Sequence, residues 1–133
     1  MELKMNKYGI VILTLGMLCL WGCSPRRNRI LREIEIQNRQ LPKKINDVLQ
    51  VDSLHYDDNT KTLGYYYTVS GDSCGNMQIK DYGEVRKSMA TEIRKSPKMA
   101  VFRAQKITFE YVYLSGKDKS PCAKIIIEAD MYK

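Results

Sequence analysis

The chain has 133 residues, 22 basic against 15 acidic, and a formal net charge of +7. That length supports one small domain with a modest core and excludes a large multidomain enzyme. One histidine and four cysteines, without CxxC or HExxH spacing, exclude the familiar zinc sites, and no RNA- or DNA-binding motif accompanies the positive charge.

The amino terminus reads as an export signal. Lys4 and Lys7 give a net positive start, and the run from Tyr8 to Trp21 carries no charge. That run is 14 residues long, whereas a bilayer-spanning helix needs about 20. It therefore suits a cleaved signal better than a membrane span, and Ser24-Pro25-Arg26-Arg27 ends it abruptly. Leu20-Trp21-Gly22-Cys23 resembles the lipobox of bacterial lipoproteins: an aliphatic residue, a variable one, a small one, then cysteine. Trp21 is larger than the usual occupant, and Cys19, preceded by Leu18, is the weaker candidate. The resemblance implies cleavage before Cys23 and a diacylglyceryl thioether on its sulfur, and with them a membrane anchor. It divides the chain into a signal peptide (1–22), a lipidated tether (23–28) and a single small domain (29–133). Each buried CH₂ contributes about 0.8 kcal/mol, so two or three acyl chains hold the protein to its membrane. Ser24 resembles lipoproteins sent to the outer membrane, and Arg26 and Arg27 stand where surface-exported lipoproteins carry acidic residues. The expected place is thus the outer membrane, facing the periplasm.

Charge is concentrated just after the anchor. Between Arg26 and Lys44, seven basic residues face two acidic ones. The membrane-proximal Arg26, Arg27, Arg29 and Arg32 fit either attraction to an anionic lipid surface or a solvated helix face.

From Arg29, the spacing of Ile30, Leu31, Ile34 and Leu41 predicts a helix that Pro42 ends. Val51 to Tyr56 alternates, Asp57-Asp58-Asn59-Thr60 is a turn, and Thr62 to Ser70 returns as a strand, which together predict a hairpin. Ser70 to Asn76, with two glycines, reads as a loop. Asp81 to Lys95 is the clearest helix, with Tyr82, Val85, Met89 and Ile93 on one face of a 3.6-residue period and Ser96-Pro97 closing it. A second hairpin follows, Gln105 to Leu114 and Ala123 to Asp130, with Ile107, Phe109, Tyr111 and Tyr113 on one face of its first strand. The expected fold is α+β, in the order helix-strand-strand-helix-strand-strand, with a four-stranded sheet and helices on one face.

If the Asp81–Lys95 helix runs back along the sheet, the third strand lies parallel to the second, and Cys74 and Cys122 fall at the same end. A disulfide then becomes possible, provided the Cα atoms come within about 7 Å.

The mature segment is similar to a family of small exported bacterial proteins to which no activity attaches. Leu41-Pro42, Val51-Asp52-Ser53-Leu54, Thr62-Leu63, Tyr66-Tyr67-Thr68-Val69, Ser96-Pro97-Lys98-Met99 and Ile107 to Tyr113 carry the resemblance, which covers most of residues 41–130. It implies a fold rather than a reaction.

Candidate chemistry is sparse. His55, the single histidine, sits on an alternating strand, and a Ser70/His55/Asp72 triple lacks a nucleophile elbow. Asp57-Asp58-Asn59 lacks the glycine and distant glutamate of a calcium loop. No cofactor or metal is expected. The tyrosines stand out: Tyr65 and Tyr67 share one face of a strand, Tyr66 takes the other, and Tyr111 and Tyr113 lie on another strand. As a surface they would suit protein or glycan binding; as core they would pair across strands. The sequence therefore predicts a non-catalytic, lipid-anchored binding or assembly module for another envelope protein or a polymer. The alternative is a small envelope enzyme or an enzyme-inhibitor-like factor with a pocket near His55.

Overall fold

The computed structural model describes residues 25–74 and 82–133. Helix α1 (Pro25–Asn38) leads into a two-residue strand β1 (Lys43–Lys44), then β2 (Leu49–Asp57) and β3 (Thr62–Val69). A 3-10 turn (Gly71–Cys74), helix α2 (Tyr82–Lys95), a second 3-10 turn (Pro97–Met99) and short helix α3 (Ala100–Ala104) lie between β3 and β4 (Thr108–Ser115). Strand β5 (Pro121–Ile127) and a last 3-10 turn (Ala129–Met131) complete the chain. Among the described residues, no helix is long and apolar enough to cross a membrane.

The sheet has five strands in chain order. Antiparallel hairpins β2–β3 and β4–β5 are joined by a parallel β3–β4 pair at the centre. A parallel neighbour needs a crossover long enough to return the chain to the starting end, and α2 and α3 supply it. The sequence reading is corrected in several places. The sheet gains β1, which carries no apolar signal because both of its lysines are exposed and its pairing comes from β2. A third helix, α3, follows Ser96-Pro97, where proline starts a 3-10 turn instead of closing the helical region. The first helix begins at Pro25, four residues before the expected start, so residues 25–28 are helical rather than a tether; proline is well suited to a first turn. Strand β5 ends at Ile127, three residues early.

One apolar core joins the helices to a single face of the sheet. Ile30 and Ile34 of α1, Ala90 and Ile93 of α2 and Phe102 of α3 pack with Leu54, Leu63, Phe109, Ile125 and Ile127. Phe102, Leu63, Ile107, Phe109 and Ile127 have no exposed surface. A bulge between Val51 and Ser53 resets the alternation of β2, so that both Val51 and Leu54 reach this core. Of the four apolar positions expected on α2, Ile93 is buried and Val85 and Met89 are half-buried, but Tyr82 is 46% exposed at the first turn.

Polar contacts fix the layers. The Asn38 amide at the end of α1 donates to the Leu54 carbonyl at 3.0 Å and accepts from the Leu54 amide at 2.9 Å, acting as a piece of strand. The Arg103 guanidinium donates to the carbonyls of Ile93 (2.7 Å) and Ser96 (2.5 Å), closing the carboxyl end of α2. The Tyr132 hydroxyl donates to the Ile107 carbonyl at 2.5 Å and seals the core beneath Phe109. Cys74 and Cys122 form a disulfide, with Cα atoms 5.5 Å apart; the parallel β3–β4 pair places both cysteines at one end of the sheet.

Candidate functional site

Register decides which tyrosines can meet a partner. In the parallel pair, Tyr65 lies beside Tyr111 and Tyr67 beside Tyr113, at the same parity as Leu63 and Phe109. All four therefore fall on the helix-covered face and form a stacked ladder. Ring centroids are 5.1 Å apart for Tyr65–Tyr111, 6.4 Å for Tyr67–Tyr111 and 4.8 Å for Tyr67–Tyr113. Tyr65 and Tyr111 are buried, and Tyr67 and Tyr113 half-buried. Burial raises the phenol pKa of each above its ordinary value. The five-tyrosine interaction surface is thus corrected: core packing claims Tyr65 and Tyr111 outright and most of Tyr67 and Tyr113. A narrow opening of about 190 Å³ between α1 and Lys98 reaches Tyr65 and Tyr67.

Tyr66 alone of the five takes the other face. There it lies between Ser53 and Val112, and its ring folds over Gly64. A Cβ at Gly64 would stand 2.9 Å from the ring, so glycine makes room for this placement. The His55 ring meets Tyr66 edge-on at 5.3 Å, and its Nε2 is 3.2 Å from the Ser53 hydroxyl. These rings border an open depression of about 430 Å³, whose walls include Asp57, Thr62 and Glu110. Beyond it the face is mixed. Glu110 pairs with Lys124 at 2.9 Å; Val112 and Leu114 are half-buried; Ile126 is 40% exposed. At the β2 bulge, Asp52 accepts from Gln50 (2.8 Å) and from Thr68. At the β5 edge, Tyr82 and Arg86 of α2 line an open depression with Lys124 and Ile126.

Both sheet edges are blunted. On one side stands the two-residue Lys43–Lys44 strand. On the other, Arg86 Nε donates to the Ile126 carbonyl at 3.1 Å and occupies an acceptor that an added strand would need.

The candidate nucleophiles and bases do not converge. Six strand positions separate Gly64, the neighbour of His55, from Ser70, so His55 and Ser70 lie about 20 Å apart along the sheet. The Ser70 hydroxyl donates to the Asp47 and Val48 carbonyls, Asp72 pairs with Lys117, and both candidate thiols are in the disulfide. His55 is exposed, and among the described residues no carboxylate is hydrogen-bonded to it. No group of three or more His, Cys, Asp or Glu side chains there could hold a metal. Arg26, Arg27, Arg29 and Arg32 are all exposed on α1, with Arg27 3.5 Å from Asp58. Cys23 and residues 1–22, where the export signal is expected, lie outside the described residues.

The profile of a family described as a domain of unknown function (DUF8479) matches residues 26–122. The chain belongs to the DUF8479 family. The match runs from the first turn of α1 to the second cysteine of the disulfide, and so takes in the uncovered face except the later part of β5. No curated protein matches the chain. Among solved structures, the DUF8479 domain is similar to a candidate secreted protein of Pseudomonas aeruginosa, at 16% identity and a TM-score of 0.63, covering 84% of this chain and 100% of that one. It is also similar to two type II secretion system pilotins, each 11% identical and 94% covered: AspS of Vibrio cholerae (TM-score 0.53, 80% of this chain) and EpsS of Vibrio vulnificus (TM-score 0.50, 81%). At these identities the likeness shows the fold.

Sequence reasoning missed Asn38, Arg103, Gly64 and Arg86 in the DUF8479 domain. Asn38 and Arg86 act on partners 16 and 40 residues away and Arg103 on carbonyls 10 and 7 residues back, whereas Gly64 makes room for nearby Tyr66 and, as a glycine inside a strand pattern, gave a local signal.

Proposed function

We propose that this domain is a non-catalytic binding module of the bacterial cell envelope. It is anchored through lipid on Cys23 to the outer membrane, faces the periplasm, and engages another envelope protein through the sheet face around Tyr66. The observation that carries this reading is the asymmetry of the sheet. Helices cover one side, while the other presents Tyr66, Val112, Leu114 and Ile126 among paired charges. Blunted edges argue for docking across the face rather than by strand addition. The likeness to pilotins, which belong to a secretion assembly, supports an assembly role over a catalytic one. The His55 depression favours the same side of the choice, because the ring is held by Ser53 and Tyr66.

A photo-crosslinking residue at Val112 or Lys124, compared with one at Lys87 or Glu92 on α2, tests this in intact cells. The expected result is a discrete protein adduct from the sheet positions alone. Equal adducts from both sets, or none from either, would overturn the reading. Cys23→Ala should abolish palmitate labelling and leave the protein as the uncleaved precursor.

A further inference from the structure

The amino end of α1 shares one end of the molecule with two turns. An open depression is lined by Pro25, Arg26 and Arg29 of α1 together with Ala104 and Gln105, which precede Lys106. The Thr108 amide donates to the Lys61 carbonyl at 2.9 Å, bringing the β2–β3 turn alongside. Lys61 and Lys106 both occupy left-handed backbone in turns beside the sheet, with φ of 50° and 55°, and both are exposed. The acids at this end are Asp57, Asp58, Glu128 and Asp130, of which Asp58 is engaged by Arg27 and Asp130 by Lys133. Among the described residues, no ion pair involves Arg26, Arg29, Lys61 or Lys106. These charges come from three separate elements, and only two of the four precede Lys43 in the chain.

Cys23 is two residues before Pro25. Since consecutive Cα atoms are 3.8 Å apart, it lies within about 8 Å of the helix start. With the helix beginning at Pro25, almost no slack separates an anchor at Cys23 from this basic end.

We infer that the end formed by Arg26, Arg29, Lys61 and Lys106 is a docking face for an anionic phospholipid surface. The inference rests on the lipid anchor at Cys23. The anchor brings the face within a Debye length of the headgroups, and the arginines and lysines then hold the domain upright on the bilayer. The sheet, and Tyr66 with it, stands out of the membrane plane. Each lysine is an exposed turn residue, so neither needs the sheet to deform in order to reach a headgroup.

The test uses the processed protein purified from bacterial membranes and placed in nanodiscs, with its acylation read by intact mass. Lysine acylation is then followed site by site on discs containing phosphatidylglycerol or only phosphatidylcholine. Lys61 and Lys106 should react about tenfold more slowly than Lys43, Lys44 and Lys119 on the anionic discs, and high salt or neutral discs should erase most of that difference. Arg26→Gln/Arg29→Gln should weaken the protection while leaving the circular dichroism spectrum unchanged. If an acylated protein shows equal reactivity at both groups on anionic discs, the docking face is refuted and the anchor stands. If the intact mass carries no acyl chains, the anchor and this inference fall together.

Discussion

Reducing the Cys74–Cys122 bridge should destabilise the domain by a predictable amount. The bridge spans 48 positions of sequence. Closing a loop of that length removes about 14 cal/mol/K of entropy from the unfolded chain, or about 4 kcal/mol at 25 °C. With a urea m-value of about 1.5–2 kcal/mol/M for a domain of this size, the unfolding midpoint should fall by about 2–2.7 M. Far-UV circular dichroism during urea titration, with and without dithiothreitol, measures the shift. The Cys74→Ser/Cys122→Ser variant should match the reduced wild type, and either single variant should match the double, because each removes the same constraint. Both cysteines are only half-buried, so the exchange of thiol for hydroxyl adds little of its own. A reduced protein whose midpoint stays within about 0.3 M of the oxidised one would show that the bridge imposes no such constraint. So would single variants whose losses add up to that of the double, because such losses come from packing rather than a shared bond.

Phe109→Ala should cost about 3–5 kcal/mol, since the ring is wholly buried between Phe102 and Tyr132, and the same urea titration reads it. Arg103→Met keeps the aliphatic stem but loses both donations to the carboxyl end of α2. It should cost about 1.5–3 kcal/mol and speed amide hydrogen exchange in the last turn of that helix. Alkali should unfold the domain. Burial raises the phenol pKa of Tyr65, Tyr67, Tyr111 and Tyr113 and pushes Tyr132 up to about 12, against an ordinary 10.0. Above pH 10 the unfolded chain has lost protons that the folded one still holds, so stability is full below pH 10 and falls as pH rises toward the folded values. Phenolate absorbance should show the ladder titrating only with the loss of circular dichroism. A single smooth titration of every tyrosine near 10 would contradict the burial.

Local pattern carried most of the architecture. The turn at Asp57–Thr60, the period of Val85, Met89 and Ile93, and the alternation from Ile107 to Tyr113 are each complete within about a dozen residues. Even the parallel central pair followed from one helix lying between two hairpins. What escaped was set by distant partners. Lys43-Lys44 is a strand because β2 offers Gln50 and Val51, and nothing in two lysines announces it. The tyrosines were legible as three facing one way or the other, but which way was inside depended on where the helices packed. Asp52 and the bulge beside it shifted the parity of β2 by one, which alternation alone does not register.

The tyrosine ladder also gives the domain an optical character of its own. Residues 25–133 contain no tryptophan, since the single indole of the chain is Trp21. Near-ultraviolet emission from this part of the chain is therefore phenolic, arising partly from rings stacked at 4.8 and 5.1 Å, close enough to share excitation. A tryptophan brought by a partner to within a few nanometres would accept that energy and emit at longer wavelength. Docking could then be followed on the unlabelled protein, with its own core serving as the donor.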